Sequence, residues 1–252
     1  MSAAVTAKPV LETHDLSISF GGLKAVDKVS FAAHRNKITT VIGPNGAGKS
    51  TLFNLISGTL SPNSGTVLIE GQDITRKPPQ ALVAAGLARS FQITNLFFEL
   101  SVWENLRLAA QALESPSRLL LPVRRSRRSL EKTQQLLEQF ALSAKADEIA
   151  GNLSHGEQRR LEIAVCLASE PKIILLDEPT QGMSYGDTEE AAELIKSLAK
   201  NMTVLLIEHD IGLVMGLSDH VVVMHQGRKL AEGPPEAVRA DPAVQTAYFG
   251  HV

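Results

Sequence analysis

Apolar and polar residues alternate from Leu11 to Phe20, with Leu16, Ile18 and Phe20 on one side and Asp15, Ser17 and Ser19 on the other. A period of two is that of a strand with one buried face. Gly21-Gly22 predicts a turn, and Val29 and Phe31 begin a return strand. The pattern then changes. Ile38–Ile42, Lys172–Leu176 and Thr203–Ile207 are short, mostly apolar runs, of the kind expected for strands buried on both faces. A helix is predicted over Leu52–Ile56 with Gly58 as its stop, another from Ala81 to Leu87 near Gly86, and a third from Asp187 to Lys200. The third turns Ala191, Ala192, Leu194, Ile195 and Leu198 inward. Thr66–Ile69 reads as a strand after a Ser61–Gly65 turn. Val221–Met224 and Arg228–Leu230 flank Gln226-Gly227 as a hairpin, and the tail carries a short helix.

Between Ile93 and about Leu153 the periodicity is helical. Ser101-Val102-Trp103-Glu104 predicts a capping box opening a helix through Gln111. Ser129 to Phe140 predicts an amphipathic helix with Leu130, Leu136, Leu137 and Phe140 as its stripe. The run 118–128 between them carries Arg118, Arg124, Arg125, Arg127 and Arg128, with Pro116 and Pro122 breaking any continuous helix. A solvated arm is the first reading of this run, and attraction to anionic lipid headgroups the second. Ser154 is a good N-cap for a helix through about Ser169, before Pro171.

Composition narrows the field. The 252 residues carry a net charge of -2, which argues against a general nucleic-acid binder. One cysteine, Cys166, excludes an internal disulfide, fits a reducing compartment and lies in an apolar helical stretch as a small core residue. No signal peptide is apparent, and no stretch approaches the ~20 apolar residues of a membrane span. The expectation is a soluble chain able to dock on a membrane protein.

The chemistry concentrates after the apolar runs. Gly43-Pro44-Asn45-Gly46-Ala47-Gly48-Lys49-Ser50, followed by Thr51, is G-x-x-x-x-G-K-[ST] between a strand and a helix. Glycines let backbone N–H groups turn onto β- and γ-phosphates, Lys49 adds a point charge and Ser50 a hydroxyl for Mg²⁺. Thr51 starts the helix proper, whose positive dipole end adds to the binding. The second run delivers Asp177-Glu178 to its C-terminal end, the edge where open α/β sheets place ligands. Adjacent acids closing a buried strand are hard to explain by packing, because burying an unpaired carboxylate is costly. A metal ion and an activated water account for them. The third run ends in Glu208-His209-Asp210. The strand–helix–strand order brings these two ends to one sheet edge.

Together the phosphate loop, Gln92, Leu153-Ser154-His155-Gly156-Glu157-Gln158, the Asp177-Glu178 strand end and His209 resemble the ATP-binding cassette of ABC transporters. The resemblance runs from Leu11 to Gly250. It implies an α/β fold: a P-loop NTPase (RecA-like) core with an N-terminal antiparallel β region and an inserted α-helical subdomain. One cassette would span 8–252, with the helical subdomain at about 93–158. ATP and Mg²⁺ are the implied ligands. Phe20 takes the place of the adenine-stacking aromatic, although a core aromatic is its other reading. Gln92 matches the glutamine that senses Mg²⁺ and the attacking water and faces the membrane subunit. Asp177 matches the acid that helps hold Mg²⁺, Glu178 the general base and His209 the switch histidine at the γ-phosphate. Ser154 and Gly156 match the signature that serves the nucleotide of a partner cassette.

Two departures stand out. His155 replaces the first of two signature glycines and Glu157 the usual Gln. Gln181-Gly182-Met183-Ser184 follows the acid pair where a Leu-Asp ending is usual, so the aspartate that would reach across the dimer is missing. Within the family the chain is similar to ATPase subunits of branched-chain and hydrophobic amino-acid importers. The lead from Gly86 to Gln92, the extended arm, the Glu208-His209-Asp210 ending and the Tyr248-Phe249-Gly250 tail fit that group. Urea and short-amide importers share these marks, and lipopolysaccharide-export ATPases do in part. The implied partners are membrane permease subunits, a second cassette (itself or a related chain) and, indirectly, an extracytoplasmic solute-binding protein. The implied location is the cytoplasmic face of the inner membrane. Soluble cassette ATPases of translation or DNA repair are a different class, usually with two cassettes in one chain or a coiled-coil insertion.

Overall fold

The mostly apolar runs become the middle of a parallel sheet. The computed structural model describes residues 8–90, 96–114 and 126–249. In chain order it shows β1 (Leu11–Phe20), β2 (Leu23–Ala33), β3 (Ile38–Ile42), α1 (Lys49–Ile56), β4 (Ser64–Ile69), β5 (Gln72–Asp73), α2 (Pro79–Ala84) and β6 (Leu87–Arg89). Helices α3 (Val102–Ala110), α4 (Arg127–Gln139) and α5 (His155–Leu167) follow. The rest is β7 (Ile173–Asp177), α6 (Tyr185–Ala199), β8 (Thr203–Ile207), α7 (Ile211–Leu217), β9 (His220–His225), β10 (Arg228–Gly233), α8 (Pro235–Ala240) and α9 (Pro242–Phe249).

Two sheets result. An antiparallel sheet has the order β2-β1-β4-β5, and a second has the order β10-β9-β3-β8-β7-β6. In the second, β9, β3, β8, β7 and β6 are parallel, and only β10 returns antiparallel. Alternation along the buried strands divides two cores. Val41, Leu175, Leu205 and Ile207 pack with α1 (Leu52, Phe53) and the antiparallel sheet. Ile38, Ile174, Leu176 and Leu206 pack with the helices, through Leu106, Leu136, Leu161 and Ile195. The Asp27 amide donates to the Gly227 carbonyl at 2.8 Å, tying the antiparallel sheet to the β9–β10 hairpin.

Several boundaries differ from the sequence expectation. The return strand starts at Leu23, six residues before Val29. The helix predicted over Ala81–Leu87 ends at Ala84, and Gly86 (φ 91°) turns the chain into the edge strand β6. Helix α1 begins at Lys49 rather than Thr51. Ser101 caps α3 by accepting from the Glu104 amide, but the reciprocal arm of the box is spent elsewhere, because the Glu104 carboxylate accepts from Arg107 at 2.6 Å. Along α4, Ser129 and Thr133 are buried with Leu136, Leu137 and Phe140, while Leu130 is half-buried. Their hydroxyls donate to the Ser126 and Ser129 carbonyls, which lets a polar pair sit inside. Leu194 is likewise only half-buried on α6. Helix α5 ends at Leu167, before Ser169. The tail holds two short helices rather than one. Most of the basic run lies outside the described residues. Arg127 and Arg128 open α4, and Arg128 pairs with Glu170 at 2.9 Å.

Candidate functional site

Parallel register sets the site. Val41 pairs with Ile207, and Ile207 with Asp177, so β3, β8 and β7 end level with one another. The loop Gly43–Gly48, the Glu208-His209 pair and Glu178 therefore leave from one edge, as the strand order predicted.

The loop after β3 wraps the start of α1. Gly48 stands at the N-cap with φ 98°, and a Cβ there would run into the Ala25 carbonyl oxygen. No side chain caps the helix and no acid lies in its first turn. The amides of Lys49, Ser50 and Thr51 have no acceptor among the described residues, which is the condition for anion binding at a helix start. The Lys49 ammonium is buried and donates to the carbonyls of Gly43 (2.7 Å) and Pro44 (3.2 Å). Burial pushes its pKa down, while the Glu178 and Asp177 carboxylates push it back up. Pro44 is half-buried, Ala47 is buried, and Asn45, Gly46 and Ser50 are exposed. Phe20 at the end of β1 is 51% exposed, which removes the core-aromatic reading.

The acid pair divides by burial. Asp177 is 1% exposed, and its Oδ1 has no hydrogen-bond partner among the described residues. Its Oδ2 meets Arg89 of β6 at 3.3 Å. Burial pushes its pKa up, and the Arg89 guanidinium opposes that shift. Arg89 also donates to Asn54 and Ser57 of the α1 end, each at 2.7 Å. Glu178 is half-buried and adopts φ 47°, a left-handed conformation uncommon for a non-glycine residue. Its amide donates to the Ile207 carbonyl at 3.0 Å. Next to it Glu208 is fully buried and accepts from the Thr180 hydroxyl (2.7 Å) and amide (3.3 Å). His209 is exposed, with Nδ1 3.9 Å from Glu208. Gln92 lies outside the described residues.

Ser154 and Gly156 open α5. Ser154 Oγ accepts from the Glu157 amide (3.3 Å), and the Glu157 carboxylate accepts from the Ser154 amide (2.9 Å). This helix packs on α3, α4 and β6, whereas α1 packs on β2.

Family models match the chain as an ABC transporter over residues 26–181 and as a branched-chain amino acid ATP-binding cassette transporter over residues 228–252. The chain belongs to the ABC transporter family and is one of its ATPase cassettes. The cassette is 40% identical to the high-affinity branched-chain amino acid transport ATP-binding protein BraF of Pseudomonas aeruginosa, covering 97% of this chain and 99% of the relative. It is 42% identical to LivG of Escherichia coli strain K12, with the same coverage. Among solved structures it resembles a nucleotide-free ATP-binding cassette from an ABC transporter (TM-score 0.86, 35% identity, 97% of this chain and 100% of that one). A cassette in its ADP conformation gives TM-score 0.83 at 34% identity, covering 97% of this chain and 100% of that one. The P-loop NTPase reading of the sequence thus holds.

Four side chains of this cassette escaped the sequence reading. Arg89 looked like part of a family mark only, yet it binds Asp177. Glu208 looked like a prelude to His209, yet it anchors Thr180. Arg159 and Glu162 line a polar cavity of about 80 Å³ that also touches Asp177 and Glu178. An Arg and a Glu three apart, with Glu162 set between Leu161 and Ile163-Ala164, was the available signal. Cys166 is half-buried as a residue, but its thiol is turned inward to the Arg89 carbonyl (3.4 Å) and burial pushes its pKa up to about 12.

Proposed function

We propose that the cassette powers an importer for branched-chain or other hydrophobic amino acids. The observation that carries the chemistry is the level ending of β3, β8 and β7, which gathers the phosphate loop, His209 and Glu178 at one edge. The tail match over residues 228–252 and the two relatives support the substrate class. One cassette spans 8–252, with its helical subdomain at about 93–158. It works at the cytoplasmic face of the inner membrane, on permease subunits, paired with itself or a related cassette, and served by an extracytoplasmic solute-binding protein. Among the described residues no helix is long and apolar enough to cross a membrane.

ATP is the substrate. Phe20 stacks on adenine, and Gly43, Pro44, Asn45, Gly46, Ala47 and Gly48 bring backbone donors to the phosphates. Lys49, Ser50 and Thr51 complete the grip from the helix start. The residues present fit Mg²⁺. Asp177 Oδ1 is a buried, unpaired hard oxygen, and burial disfavours its charge until a cation neutralises it. Among the described residues no cluster of three His, Cys, Asp or Glu side chains could hold a metal alone. Ser50 and Asp177 would share it with the phosphates, and Gln92 would approach it, a division that suits Mg²⁺. When bound, Mg²⁺ neutralises charge developing on the phosphates. Glu178 takes a proton from the attacking water, Lys49 holds phosphate charge, and His209 meets the γ-phosphate from the end of β8. Ser154 and Gly156 serve the nucleotide of the partner cassette, head to tail.

Loss of a general base costs about 10²–10⁴ in rate. Glu178→Gln should bind MgATP with wild-type affinity and turn it over slower by that factor. Near-native turnover would remove Glu178 from the role. For the substrate class, the assembled transporter should show ATPase stimulation by a solute-binding protein loaded with leucine, isoleucine or valine, and none with the unloaded protein or with urea.

A further inference from the structure

Arg159 and Glu162 belong to no nucleotide motif, yet both are buried on α5. Their Nη1–Oε2 distance is 2.5 Å. Taking two charges out of water is costly, and a well-packed apolar pair is often the more stable choice. What the guanidinium does beyond its pairing is specific. Nη2 donates to the carbonyl of Asp177 (3.0 Å) and Nε to the carbonyl of Pro179 (3.1 Å). These are the two residues on either side of Glu178. From the other side, the Glu178 amide is held by the Ile207 carbonyl. Three hydrogen bonds thus fix a backbone segment whose central residue sits at φ 47°, a conformation that persists only where its surroundings over-determine it.

We propose that Arg159 is a positioning residue for Glu178, with Glu162 holding the guanidinium in register; this rests on the reading of Glu178 as the general base. The planar fork is what allows one side chain to reach two carbonyls and a carboxylate at once. The same helix carries Ser154 and Gly156 at its start, so a shift of α5 is passed by Arg159 to the backbone around Glu178. That gives the signature helix a direct mechanical link to its own catalytic edge, in a chain whose Gln181–Ser184 loop lacks the usual aspartate.

Single-turnover hydrolysis by the assembled transporter and nucleotide affinity of the purified chain test this. Misplacing a catalytic group costs up to about 10²-fold, so Arg159→Gln should lower the hydrolysis rate about ten- to a hundredfold. MgATP affinity should stay within about twofold, since the loss falls on the transition state. Arg159→Lys keeps the charge beside Glu162 but cannot span both carbonyls, and its rate should stay low. In a Glu178→Gln background, Arg159→Gln should add less than about a further twofold, because the two act as one unit. The proposal is overturned if either single variant keeps its rate within about twofold of wild type, if Lys restores what Gln loses, or if the losses multiply in the double variant. Should Arg159→Gln not fold, Arg159→Lys carries the test alone. A Glu178→Gln variant with native turnover would instead remove the base assignment, and it is read in its own assay.

Discussion

Helices α1 and α5 both begin at residues proposed above to meet phosphate, but their first turns are built differently. At α1, glycine holds the N-cap at φ 98°, no side chain caps and no acid enters. The three leading amides and the dipole are left for a ligand. At α5, Ser154 caps in extended geometry and Glu157 completes a reciprocal box. Two donors, the Glu157 and Ser154 amides, are satisfied internally, and a carboxylate occupies the positive end of the dipole. The Ser154 hydroxyl proton and the His155 and Gly156 amides remain without acceptors among the described residues. The first helix start depends on an anion for its partners. The second is stable alone and has only a partial set of donors to offer. That difference suits a primary site and a second-side contact, and it can be broken at either end.

The largest effect should come from blocking the second-side contact. Ser154→Arg places a long cation where the proposed partner nucleotide meets α5. Hydrolysis should fall to background, while ATP affinity of the isolated chain stays within about twofold, since no α1 group changes. Lost affinity in the isolated chain would show that Ser154 serves its own nucleotide and would end the head-to-tail reading. Next in size is Gly48→Ala. A left-handed alanine costs about 1–2 kcal/mol before the clash with the Ala25 carbonyl is counted. At about 2 kcal/mol, ATP affinity should drop about thirtyfold. Gly156→Ala is the control at α5. Its added Cβ lies 3.3 Å from an Asp187 carboxylate oxygen rather than a fixed carbonyl, and the position is helical. Isolated-chain affinity should not move. Equal losses from the two alanines would erase the distinction between the helix starts.

The contrast also shows what the sequence made legible. The phosphate loop and the three central strands were plain, because period, punctuation and spacing all agree from Ile38 to Gly58. So was the edge that gathers them. Edge strand β6 was hidden: three residues, Leu87–Arg89, are too few for a period, and Gly86 reads as a helix stop whether or not a strand follows. Leu130 was overcounted because its neighbours Ser129 and Thr133 on α4 bury by bonding to the backbone, which hydrophobicity does not reveal. Partnerships across elements were beyond reach. Nothing local joins Arg89 to Asp177, or Arg159 to the carbonyls of Asp177 and Pro179, since sequence distance says nothing about which buried cation faces which strand end.

The smallest effect belongs to Glu157, where this chain carries an acid in place of the usual glutamine. Its carboxylate pKa is lowered, first by the Ser154 amide, with burial opposing and Lys145 and Arg160 assisting. A carboxyl whose folded value is depressed contributes stability that is present above its unfolded value and is lost as pH falls through the folded one. Glu157→Gln keeps an acceptor for the box but removes the charge from the helix start. At neutral pH the variant should therefore be less stable by about 0.3–1 kcal/mol. The gap should close as pH drops below the ordinary glutamate range, where wild type loses the same charge. For the nucleotide the sign reverses, because a negative charge at the α5 start repels phosphate. Glu157→Gln should tighten ATP-driven pairing by the matching factor, about two- to fivefold. Thermal melts from pH 7 downward, beside pairing titrations at pH 7, read both effects on one protein. A stability gap that ignores pH, or pairing that weakens with the charge removed, would mean that Glu157 acts at α5 through its shape and not its charge.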